Sequence, residues 1–180
     1  SAMAPKNNGD KKLNVAPVPL FVRLQWGDGL PHDLDLWVRC FNLANGVKSN
    51  LITIGYKNTS DGWLDLLRDD QGLPSYINEE RVQSNSEVTH VPPNTSCIFN
   101  VHLYHSHGGA LPVVGSLIVI QDKDSDNEKL VADVKFQIAA PGLEVTVVRS
   151  TWDDHGNLLT EVLEKYPDAR NEPIATAKAP

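Results

Sequence analysis

The sequence predicts an all-β domain, an antiparallel β-sandwich of jelly-roll or immunoglobulin-like type. Two observations carry the prediction. Apolar and polar residues alternate with period two in segment after segment, as strands with one face in a core require. Clusters of Gly, Pro, Asn and Asp punctuate those segments at short intervals. The length of 180 residues suits one core, and the hydrophobic and charged fractions of 41% and 22% are those of an ordinary globular chain.

The segments follow in chain order. Residues 1–17 read as a flexible leader, with Ser1-Ala2 as a tag remnant and Met3 as the native start. Leu20, Val22, Leu24 and Trp26 alternate with Phe21, Arg23 and Gln25; Leu34, Leu36, Val38 and Cys40 alternate with Asp33, Asp35, Trp37 and Arg39. Leu51 to Lys57 is rich in β-branched and aromatic residues. Asp69 to Glu87 is polar and lacks clear alternation, so it reads as an extended loop with a short helix. Cys97, Phe99, Val101 and Leu103 form the next alternating set.

Val113 to Gln121 is nearly continuously apolar and reads as a central strand covered on both sides. Leu130, Ala132, Val134, Phe136 and Ile138 give the cleanest alternation. Leu143 to Trp152 is Val/Thr-rich, and Leu158 to Tyr166 fits a strand or a short helix. Pro141-Gly142 and Asp154-His155-Gly156-Asn157 read as tight hairpin connections. The expected domain is 18–166, with 167–180 as a flexible tail.

Charge and composition exclude some functions. A net charge of -7 argues against nucleic-acid binding, which calls for a basic face. No apolar run approaches the length that spans a bilayer, so membrane insertion is not expected. With Met3 as a native start the chain is expected to be made in the cytoplasm without a signal peptide; with a signal peptide trimmed away it is expected to be secreted or periplasmic. Cys40 and Cys97 fall on inward positions and read as two buried free thiols, with a disulfide as the alternative.

Short matches resemble the YfaP-like domains, a family of bacterial β-sandwich modules. They are Leu24-Gln25-Trp26 followed by Asp33-Leu34-Asp35-Leu36-Trp37-Val38, then Gly62-Trp63-Leu64-Asp65 with Arg68-Asp69-Asp70, then Val91-Pro92-Pro93-Asn94-Thr95 leading into Cys97 to Tyr104. They span about residues 20–120, and Asn94 stands where that family's turn has glycine. The Asp-x-Asp opening is also similar to calcium-binding TerD-type proteins. The resemblance implies a sandwich fold; function inferred from it is analogy.

Two acidic groups are candidate cation sites. Asp122, Asp124, Asp126 and Glu128 place oxygen ligands at alternate positions, which suits calcium; the alternative is a solvated hairpin loop. Asp33 and Asp35 share a strand face with Trp37 and Arg39, which reads as an ordinary solvent face whose aspartates pair with cross-strand cations or, alternatively, as a second cation site or polar platform, joined by Asp61 and Asp65. Trp37 is the candidate ligand-binding aromatic, because sugars stack on exposed rings. His105 and His107 are expected on one side, with His102 opposite, and a third ligand would complete a zinc site. No GxSxG, HExxH or phosphate-loop pattern is present.

The expected function is a non-catalytic structural or interaction module with protein partners in a larger assembly, such as a phage virion or tail-like particle. The alternative is a calcium-dependent module that binds carbohydrate or an envelope. A metal-dependent hydrolase ranks third.

Overall fold

The computed structural model describes residues 17–44, 46–70, 77–163 and 171–177. Residues 1–16 of the expected leader, 164–166 at the expected end of the domain and of the Leu158 to Tyr166 element, and 167–170 and 178–180 of the expected tail lie outside the described residues.

Eleven strands form the described fold: β1 (Val18–Trp26), β2 (Asp33–Ala44), β3 (Val47–Ile54), β4 (Ser60–Asp61), β5 (Leu64–Arg68), β6 (Asn78–Ser84), β7 (Thr95–His105), β8 (Val113–Lys123), β9 (Lys129–Ile138), β10 (Glu144–Trp152) and β11 (Leu158–Val162). They make two antiparallel sheets, in the orders β4-β5-β6-β1-β8-β9 and β11-β10-β7-β2-β3. The predicted sandwich is what the chain forms, and the two sheets are not closed into a barrel.

The alternating residues build the core. Leu20, Val22 and Leu24 of β1 face Leu34, Leu36 and Val38 of β2, with Phe99, Val101 and Leu103 of β7 beside them, all fully buried. Burying one such side chain stabilises the fold by about 1.5–3 kcal/mol, so β1, β2 and β7 anchor the sandwich.

Several expectations need correction. The polar segment expected as a loop with a helix contains β6, paired to both β1 and β5. Its inward positions are Asn78, Glu80, Val82 and Ser84, all buried, so its buried face carries little of the apolar signal that reveals a strand. Pro141-Gly142 is not a hairpin turn but the crossing from β9 in one sheet to β10 in the other. The Asp153 to Asn157 turn does join a hairpin, β10–β11, with Asp153 Oδ1 accepting the His155 and Asn157 amides at 2.9 and 2.8 Å. Strand β8 is internal to its sheet, but its outward residues are not covered, and Val114 is exposed.

Cys40 and Cys97 are not free thiols. They stand directly opposite each other on β2 and β7, with Cα atoms 4.1 Å apart, and their sulfurs are bonded. Adjacent strands bring facing Cβ atoms close enough for this pairing. Asn94 takes a left-handed φ of 59°, a region that Asn tolerates better than most residues other than glycine. The tail also departs from expectation: residues 171–177 pack on the outer face of the five-stranded sheet, with Ile174 only 6% exposed.

Candidate cation-binding recess

The site begins with an incomplete strand pairing. Strand β3 accompanies β2 only from Val38 onward, so the first half of β2 has an open edge. Its Leu36 amide points there, and a buried amide without a partner is costly. Glu80, reaching over from β6 in the other sheet, accepts that amide at 2.8 Å with Oε1. Its Oε2 accepts the Asp70 amide at 3.0 Å.

The end of β5 is tied to the start of β6 just as tightly. Arg68 donates to the Glu79 carbonyl at 2.9 Å and to the Ile77 carbonyl at 2.7 Å. Asp70 Oδ2 accepts the Glu79 amide at 3.0 Å and lies 3.5 Å from Arg68 Nη2. These bonds fix the chain on both sides of Asp69 and carry it to the open edge of β2.

The result is a recess of about 270 Å3 lined by Asp33, Asp35, Asp69, Tyr56 and Tyr104. Asp35, Asp69 and Glu80 each place one carboxylate oxygen within 4.8 Å of the others. Asp35 and Glu80 are 4% and 1% exposed, while Asp69 is open to solvent. His102 of β7 stands opposite Asp35, with Nδ1 3.8 Å from its Oδ2. The buried Oδ1 of Asp33 has no hydrogen-bond partner among the described residues.

Electrostatics follow from the crowding. Burial, then the nearby charges of Asp35, Asp69 and Asp70, push the Asp33 carboxyl up to about 7. Burial also raises Asp35, against the opposing pull of His102. Glu80 is raised well above the ordinary range by burial and by its hydrogen bond with Asp69, despite its two amide donors. Carboxyls held this way bind protons more readily than free ones, and a hard cation competes for the same oxygens.

The sequence-derived candidates therefore separate. Asp33 and Asp35 enter the recess, together with Asp69 of the Arg68-Asp69-Asp70 match. Glu80 was not anticipated, because it lies on the strand that sequence patterning missed. Asp61 and Asp65 lie apart: Asp61 accepts the Thr53 amide at 3.0 Å and Asp65 accepts the Ser60 hydroxyl at 2.7 Å.

The Asp122 to Glu128 loop does not gather its acids. Among the described residues no three of its carboxylates converge as those of the recess do. Asp124 pairs with Lys123 at 3.2 Å, and Glu128 accepts the Asp124 amide at 2.9 Å, the bonding of a β8–β9 hairpin loop. Asp122 is raised by burial.

The aromatics are corrected too. Trp37 is only 8% exposed, its outer side covered by the docked tail. Trp26, Trp63 and Trp152 are buried as well, and the exposed ring at the recess is Tyr104, 57% exposed. His105 and His107 come together, with ring centroids 4.1 Å apart, whereas His102 turns to Asp35.

Fold and recess together define a two-sheet antiparallel sandwich with an acidic pocket at an unpaired strand edge. A solved structure shares that fold: SAV2460, a protein of unknown function, aligns with a TM-score of 0.55 at 16% identity, over 82% of this chain and 88% of its own. At that identity the likeness concerns the fold alone. No family model and no curated protein matches the chain.

Proposed function

We propose that the protein is a non-catalytic binding module that holds a divalent cation, calcium by its chemistry, in the recess of Asp33, Asp35, Asp69 and Glu80. The supporting observation is the convergence of the Asp35, Asp69 and Glu80 oxygens within 4.8 Å on a backbone fixed by hydrogen bonds. Calcium takes six to eight oxygen ligands. Each Glu80 oxygen keeps a lone pair after accepting its amide. Four carboxylates leave coordination positions open toward solvent, where Tyr56 and Tyr104 stand. A carbohydrate fits that opening in kind, since its hydroxyls ligate a hard cation and its apolar face packs on a tyrosine ring.

The Cys40–Cys97 disulfide favours an oxidising location, periplasmic or secreted, for this module. Isothermal titration with calcium tests the reading. One saturable site, abolished in Asp35→Asn, is the expected result; an absence of heat from the chelator-treated protein, at a calcium concentration in the millimolar range of extracellular modules, would remove it.

A further inference from the structure

The docked tail is held by a constructed site. Glu144 at the start of β10 receives five hydrogen bonds: from Asn100 Nδ2 at 2.8 Å, from the amides of Ile174, Ala175 and Thr176 at 2.8, 3.2 and 3.0 Å, and from the Thr176 hydroxyl at 2.8 Å. Asn171 pairs with the β10 backbone, accepting the Thr146 amide at 2.7 Å and donating to the Glu144 carbonyl at 2.6 Å. Glu172 forms an ion pair with Arg149, and its carbonyl accepts Asn100 Nδ2 at 2.6 Å. Ile174 fills an apolar patch made by Trp37 and Ile98.

This is sequence-selective peptide recognition by a sheet face. A carboxylate reads three successive amides, a cation reads Glu172, and an apolar patch reads Ile174. Every contact described for 171–176 goes to β2, β7 or β10; the strand that delivers the segment, β11, contributes none of them. Seven residues, 164–170, separate Leu163 from Asn171. Such a link spans at most roughly 25–30 Å, enough to place the segment on a neighbouring molecule. Strand β11 is also the edge of its sheet and leaves Leu159 66% exposed, a surface for a neighbour to cover.

We infer that the face around Glu144 is a self-recognition surface, on which residues 171–176 of a second copy seat in place of the chain's own, linking copies by exchange of C-terminal segments. Exchange preserves every contact, so it costs little beyond association itself. A chain's own segment competes at an effective concentration of the order of millimolar, so linked copies form when the chain is concentrated or assembled.

Two full-length variants test this. Ile174→Asp disables the segment and leaves the face intact; Glu144→Ala removes every acceptor from the face and leaves the segment intact. Neither variant closes on itself, but a mixture restores one complete pairing. Native mass spectrometry is expected to find each variant monomeric alone and a one-to-one complex on mixing. A mixture that stays monomeric, with both variants folded by circular dichroism, overturns the inference. Should either variant fail to fold, a fluorescent peptide of residues 171–177 is titrated onto full-length Ile174→Ala, whose own segment has lost its apolar anchor and competes weakly. Saturable anisotropy supports the inference; none up to about 1 mM overturns it.

Discussion

Glu80 of one sheet accepts the Leu36 amide of the other at 2.8 Å, and this bond satisfies a buried amide on the open edge of β2 beneath the recess. With the second bond, to the Asp70 amide, it makes a carboxylate serve the backbone and the acidic cluster together.

Removing that carboxylate is therefore costly. Glu80→Ala leaves two buried amides without acceptors, at about 1–3 kcal/mol each. Glu80→Gln keeps one acceptor oxygen and is expected to cost clearly less. Urea unfolding of both variants checks this; equal losses would contradict the role assigned to Glu80.

The recess imposes an unusual pH dependence. Asp33 is raised to about 7 in the folded chain, so the folded state holds more protons than the unfolded state above the usual carboxylate value of 3.8. Its stability contribution is complete below that value and is lost as pH rises through about 7. Asp35 and Glu80 act with the same sign. In chelator, Tm is expected to fall between pH 4 and pH 7, and Asp33→Asn is expected to flatten the slope. Thermal scans across that window read both effects.

Glu144 acts in the opposite direction. Burial pushes it up, but the bonds from Asn100, Ile174 and Thr176 outweigh burial and hold it below the ordinary carboxylate range. Its contribution is present above the usual value of 4.5 and is lost as pH falls through the lower folded value. Acid is thus expected to free residues 171–176 and uncover Trp37. Hydrogen exchange of that segment, with Trp fluorescence beside it, follows the release.

The Cys40–Cys97 bond closes a stretch with a sequence separation of 57. Restricting the unfolded chain this way contributes about 2–4 kcal/mol. The double variant Cys40→Ala/Cys97→Ala is expected to lose that amount in denaturant unfolding while remaining folded, because β2 and β7 are already paired along their length.

The fold was legible where one strand face is apolar. The inward residues of β1, β2, β7 and β9 announce themselves by alternation, and they form the core. The recess was only half legible. Asp33 and Asp35 stood out as a pair, but their partners Asp69 and Glu80 come from a polar stretch whose inward positions are Asn78, Glu80, Val82 and Ser84, of which only Val82 is apolar. A strand that buries polar groups to satisfy a neighbouring edge gives no hydrophobic period to read. Trp37 misled for the converse reason: its place on the outer face was read correctly, but the segment that covers it lies over a hundred residues away in the chain.

Native mass spectrometry with calcium and with a chelator, on the wild type and two variants, decides whether the recess holds the cation. One bound calcium is expected in the wild type and in Asp122→Asn/Asp124→Asn/Asp126→Asn, and none in Asp35→Asn/Asp69→Asn. Calcium that survives in the recess variant and vanishes from the loop variant, or a wild type that binds none, would contradict it.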